Sequence, residues 1–147
     1  MIKTFRGILA DAEQEKIRLS TKKGKIGYKI TKFQIIPKSP FEKDQESVVK
    51  IFKVSQSTVT DEIDFSDGNL LAAAIITNEN IPGTGYMMPM QVIFEQEIFN
   101  QDIYITHRDQ DASESCNYYL ELEVVSLTDN AAAVSTLRDI RLNPEPI

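Results

Sequence analysis

The segment CNYYLELEVV, residues 116–125, alternates almost without fault. Tyr118, Leu120, Leu122 and Val124 fall on one face, and Tyr119, Glu121 and Glu123 on the other. A period of two is what a strand with one buried face requires, whereas a helix would scatter the same apolar side chains around its circumference. A one-residue slip would expose the whole apolar set, so this pattern ties both the element and its register to the core.

Strand-like patterns recur along the chain. Ile17 and Leu19 alternate in IRLS, and Ile26, Tyr28 and Ile30 in IGYKI, with TKKGK between them. Two alternating runs around a short glycine-containing turn predict a hairpin. Beyond Ile30 the apolar phase moves to Phe33 and Ile35, which predicts a bulge near Thr31 and Lys32, and Pro37 and Pro40 end the strand. ESVVKIFKV is apolar on both faces, as a central strand would be. NLLAAAIIT is read as a flat strand of small side chains, suited to close approach of another sheet, inside the subunit or between subunits. MQVIFEQEIF reads as the next strand, ended by a polar break at Asn100 to Asp102. In DIYITH, Ile103 and Ile105 should point inward and Tyr104 and Thr106 outward, with His107 marking the exit into a polar loop. Near the end, Thr128, Asp129 or Asn130 can cap a short helix over 129–141, with Val134, Leu137 and Ile140 on one side and residues 142–147 as a tail. The expectation is a single all-β domain over 1–147. Its fold class is an antiparallel β-sandwich, jelly-roll-like, of about eight strands with a short C-terminal helix.

Composition narrows the functions. The chain has 147 residues and a net charge of −6. That balance argues against broad binding to a phosphate backbone, which needs clustered Lys and Arg. Lys22, Lys23 and Lys25 read as a solvated turn. Cys116 is the only cysteine, so neither an internal disulfide nor a cysteine zinc site is available, and it reads as a small core residue. The first residues lack the apolar core of a signal peptide, and the longest apolar run, LLAAAII, has seven residues, too few to span a membrane as a helix.

No motif announces chemistry. His107, Arg108 and Asp109 form the triplet that opens a kinase catalytic loop, but Glu114 stands where that loop needs asparagine. A Ser-His-Asp arrangement would have to be built from His107 without a G-x-S-x-G cue. Asp and Glu total 22, and most will be solvated surface rather than a glycosidase pair. Asp61, Glu62, Asp64 and Asp67 before Gly68 do not follow the alternate-position spacing of an EF-hand loop. Whether the loop at 61–67 takes a cation stays open. Tyr104 and Tyr119 could present rings to a sugar, or simply pair across strands. Met87, Met88 and Met90, in an irregular segment, mark either a subunit contact or a loop folded back on the core. The reading assigns no catalytic, cofactor or metal residue.

Seven segments in order, FRGILAD, IRLSTKKGKIGYKI, ESVVKIFKV, IDFSD, FNQDIYITH, SCNYYLELEV and STLRDIR, resemble a family of small virion structural proteins of tailed bacteriophages, particularly those of marine bacteria. The similarity runs from Phe5 to Arg141 and is weakest at NENIPGTGYMMP. It implies a non-enzymatic task without cofactors: decorating or cementing a capsid, or alternatively serving in a tail or fibre, where glycan binding would aid attachment. The implied partners are the major capsid protein or other virion proteins and further copies of the chain, a trimer being favoured, with no nucleic acid and no membrane. The implied location is the virion, assembled in the host cytoplasm. Leu70, Leu71, Ala72 and Ala74, with the three methionines, are the candidate interface.

Overall fold

A computed structural model describes residues 1–21, 24–41, 44–81, 85–87, 90–110 and 113–128, with the backbone alone for 78–81 and 85–87. Among the described residues there are nine strands and no helix. They are β1 (Ile2–Leu9), β2 (Gln14–Ile17), β3 (Ile26–Pro37), β4 (Gln45–Phe52), β5 (Leu70–Ile81), β6 (Gly85–Met87), β7 (Met90–Phe94), β8 (Ile103–Asp109) and β9 (Cys116–Ser126). The helix expected at 129–141 and the tail lie outside the described residues.

All pairings are antiparallel. One sheet has the order β1-β9-β3. The other runs β2-β8-β4-β5, with β7 and β6 along the far side of β5. The pairs nest: β1 with β9, β2 with β8, Tyr28 of β3 with Phe99, and β4 with β5. A long hairpin wrapped on itself produces this nesting, and it is the jelly-roll arrangement of a sandwich. The third rung is reduced to one bridge, in which the Tyr28 and Phe99 amides each donate to the other's carbonyl at 2.8 and 3.0 Å. Gly27 permits that approach, because a Cβ there would stand 2.8 Å from Ile98 Cγ2. The expected strand over MQVIFEQEIF therefore stops at Phe94, where the chain leaves β5 to reach β3.

The hairpin expected around TKKGK does not form. β2 joins the larger sheet and β3 the smaller, so the segment between them crosses the sandwich. The cause is Asp102, whose carboxylate accepts the Leu19 and Ser20 amides at 2.7 and 2.9 Å and draws the chain to the start of β8. Burial opposes ionisation of this carboxylate, but the Ser20 and Leu19 N–H groups and the Lys16 ammonium outweigh it, so its pKa lies below the ordinary 3.8. A depressed folded value means that the stabilisation is present above the unfolded pKa and lost as pH falls through the folded one. Asp102→Asn should cost about 1–2 kcal/mol near neutrality. In urea titrations the gap between wild type and variant should narrow as the pH falls below the ordinary carboxylate value of 3.8.

The bulge expected near Thr31 is present as a register shift between Ile30 and Lys32. It keeps Tyr28, Ile30, Phe33 and Ile35 all buried. Facing them from the larger sheet are Val49, Ile51, Ala72, Ala74, Ile76, Ile103 and Ile105. β3 packs across β5, so the small side chains of LLAAA make room for bulky ones from the opposite sheet. On the smaller sheet the Tyr118 ring crosses Gly7, where a Cβ would meet it at 3.0 Å. The N-terminal strand β1 carries weak alternation, and sequence reading assigned it no strand.

The β4–β5 connection covers the outer face of the larger sheet over β2, β8 and β4. Gln14 holds that connection down, donating to Ser55 Oγ and Gln56 O and accepting the Gln56 amide. Thr106, expected outward towards solvent, lies between Gln14 and Lys50 in register and is buried beneath this cover.

Candidate functional site

His107, expected to mark a strand exit, is not at one. β8 continues to Asp109, and His107 shares the inward phase of Ile103 and Ile105. Its ring is wholly buried. Nδ1 lies 3.0 and 3.1 Å from the carbonyls of Leu9 and Ala10, and Nε2 lies 2.9 Å from Ser47 Oγ. Carbonyls only accept, so Nδ1 carries the proton. In the neutral ring Nε2 then accepts from the Ser47 hydroxyl. Ser47 Oγ in turn accepts from the Gln45 side-chain Nε2 at 2.7 Å, and the same Nε2 donates to Ser115 O at 3.0 Å.

The rest of the triplet continues the clamp. Arg108 donates to both oxygens of Asp11 at 2.9 and 2.8 Å, and the Asp109 amide donates to Asp11 at 2.9 Å. Asp109 accepts the amides of Glu46 and Glu114 at 2.9 and 2.6 Å. Three consecutive side chains thus bind the β1–β2 turn, the start of β4 and the approach to β9 to a single strand. Ser47 beside His107 has the spacing of a nucleophile and its base. A working pair needs a nucleophile open to substrate and donors for the developing oxyanion. Here both side chains are completely buried, and main-chain carbonyls occupy the position of an orienting carboxylate. The arrangement is a staple. The sequence held a cue to it, since residue 107 has the parity of Ile103 and Ile105. Gln45 and Ser47 had none, being polar residues at the start of a strand.

Cys116 is also fully buried. Burial, with the Asp109 carboxylate nearby, pushes its thiol up to about 12. Thiolate is the reactive form. Native protein should therefore leave an aromatic disulfide reagent unreacted over hours at neutral pH, with one thiol released per chain in denaturant. Prompt labelling of the native state would contradict this burial.

The acidic loop contains an internal cation. Lys50, buried in β4, reaches out of the sheet and donates to Glu62 O at 2.5 Å and Thr60 Oγ1 at 3.3 Å. Burial lowers its pKa, while Asp61, Glu62 and Asp67 favour its charge. Two carboxylates shape the turn itself: Asp64 accepts the Ser66 amide and hydroxyl, and Asp67 accepts the Asn69 amide. Among the described residues, no three His, Cys, Asp or Glu side chains are grouped to hold a metal ion.

The proposed interface residues separate. Leu70, Leu71, Ala72 and Ala74 are buried within this chain, the last three in the inter-sheet core. Met90 is 43% exposed at the start of β7. The Met87 side chain and all of Met88 lie outside the described residues, as do Lys22 and Lys23. No helix among the described residues is long and apolar enough to cross a membrane.

Among the described residues no segment covers the outer face of the smaller sheet. Ile8 and Ile36 flank Asn117 across three strands, with Arg6, Tyr119 and Gln34 in the next row. Together they shape a shallow trough. The Lys32 ammonium lies 5.6 Å over the Tyr119 ring, and Lys16 lies 5.9 Å over Tyr104, so each aromatic candidate for sugar binding carries a cation on one face.

No protein-family model and no curated protein matches the chain. Among solved structures, a mitogen derived from Yersinia pseudotuberculosis is similar at 11% identity and a TM-score of 0.32, over 88% of this chain and 87% of that one. The Clostridium perfringens CspB protease is similar at 10% identity and a TM-score of 0.33, over 86% of this chain and 27% of that one. Likeness at this level carries no functional argument.

Proposed function

We propose that this chain is a non-enzymatic virion structural protein: a capsid-associated decoration or cement protein that stabilises the shell through protein–protein contacts. The observation that carries the reading is the division of its side chains. The groups with chemical potential, His107, Ser47 and Cys116, are spent inside the fold, while large apolar side chains stand out from ordered sheets. Ile36 is 59% exposed on the smaller sheet, and Ile93 is 52% exposed on the larger beside half-exposed Ile75. A contiguous apolar patch on ordered elements favours contact with another protein, and Ile36 shares the trough of the smaller sheet with half-exposed Ile8. The resemblance of the seven segments to tailed-phage virion proteins supplies the partner class, the major capsid protein or its neighbours. Many copies of a small domain, each holding weakly, would secure a shell jointly. The glycan-binding alternative gains less from the structure, because Tyr104 and Tyr119 are paired with lysines.

The test is to assemble particles with and without the chain and heat both at low ionic strength. Particles lacking it should release their contents at a lower temperature, and restoring purified protein should reverse the loss. Equal stability of the two preparations would end the cementing reading.

A further inference from the structure

The strand edges of this sandwich are treated unequally. An unpaired edge is a template for another strand, and proteins blunt such edges with short strands, bulges or proline. β2 has four residues, β3 carries the bulge after Ile30 and ends at Pro37, and β5 is flanked by the short strands β6 and β7. β1 has none of these devices. It runs eight residues without proline, its ladder with β9 is regular throughout, and among the described residues no strand pairs with its other edge.

The direction of its free groups follows from one bond. The Val124 amide donates to Met1 O, opposite it in register, so the odd-numbered residues of β1 bond to β9. In an antiparallel ladder the residues between them turn their N–H and C=O the other way. Ile2, Thr4, Arg6 and Ile8 therefore present one donor and one acceptor each at the open edge. The same residues carry the side chains of the sheet's outer face, where Ile2 and Ile8 are both about half exposed. Of the two charges on β1, Lys3 is directed to the Tyr28 ring at 5.8 Å, and Arg6 lies on the outer face beside Tyr119.

We infer that β1 is a self-association strand, and that two copies of this chain pair β1 against β1 across a two-fold axis at Phe5. The strand is complementary to itself in that register. Ile2 stands opposite the second copy's Ile8, and Thr4 opposite its Arg6. Each pair is of the hydrogen-bonding kind, so every outward N–H and C=O from Ile2 to Ile8 is satisfied. No like charges stand directly opposite. The product is one continuous six-stranded sheet, β3-β9-β1 joined to its copy, which removes both exposed edges in a single isologous contact. The inference rests on this edge alone and does not depend on the virion reading.

Light scattering on the intact chain across a concentration series tests it. The expected mass rises to twice the 16.6 kDa of one chain. Thr4→Pro removes an outward N–H that β9 does not use and should leave a folded monomer, while Ile36→Ser on the opposite edge should leave the dimer. Cysteine pairing reads the register without proline. Thr4→Cys mixed with Arg6→Cys should cross-link under oxidation, and neither variant alone should. A monomer at all concentrations, a trimer, or cross-linking of Thr4→Cys with itself in preference to the mixture would overturn the inference.

Discussion

His107→Ala should destabilise the protein by about 3 kcal/mol, read as a lower urea midpoint with an unchanged slope. Two effects add. The missing ring leaves a cavity between the sheets that their strands cannot close. It also leaves Ser47 Oγ and the Leu9 and Ala10 carbonyls short of partners in the interior, and a buried polar group without a partner costs about 1–3 kcal/mol. Loss on this scale is a large share of the ~5–15 kcal/mol that holds a domain together. Ser47→Ala removes the hydroxyl alone and should cost about half as much. If His107 served chemistry, its replacement would spare the fold and abolish an activity. A midpoint unchanged by His107→Ala would remove the staple from this account.

Phe33→Ala should cost still more, about 3–5 kcal/mol, the usual range for a large aromatic removed from a core. Phe33 stands in one row with Leu120 and Phe5 across the smaller sheet. Its burial depends on the bulge after Ile30, and the alanines of β5 are too short to fill the space it would leave. The check is the same urea titration, with Ile36→Ala as reference. Ile36 points out of the same strand, and its loss should change stability by less than about 0.5 kcal/mol.

These two residues also show what a sequence of this kind discloses. Phe33 was legible: the slip in apolar phase after Ile30 has one economical cause, a bulge, and the bulge assigns Phe33 and Ile35 to the core. β9 was legible for the same reason, since alternation is local and physical. The expected hairpin at TKKGK was not, because alternation says which face is buried and nothing about the partner. That choice was made by Asp102, 83 and 82 residues further along the chain, through its bonds to Leu19 and Ser20. β1 escaped notice because it is an edge strand with one half-exposed apolar face and a lysine on the other. The polar staple was half legible. The parity of His107 was on the page, but a histidine after two isoleucines is equally a strand end, and only the pairing with β4 brings Ser47 to it. Lys50 gave no signal either. Its counter-charges lie in a loop whose path over the sheet depends on Gln14.

The central claim is that His107 and Ser47, buried and bonded to each other and to the main chain, hold the fold together. Hydrogen exchange of the His107 Nδ1–H, followed by nitrogen-edited NMR, tests it most directly. The buried staple predicts a slowly exchanging proton on Nδ1, with a protection free energy equal to that of global unfolding, because nothing short of unfolding opens the site. Exchange through a local opening well below the global free energy would mean that His107 meets solvent in the native state, and a ring without a proton on Nδ1 would mean that the bonds to the Leu9 and Ala10 carbonyls are not made; either result would contradict the buried staple.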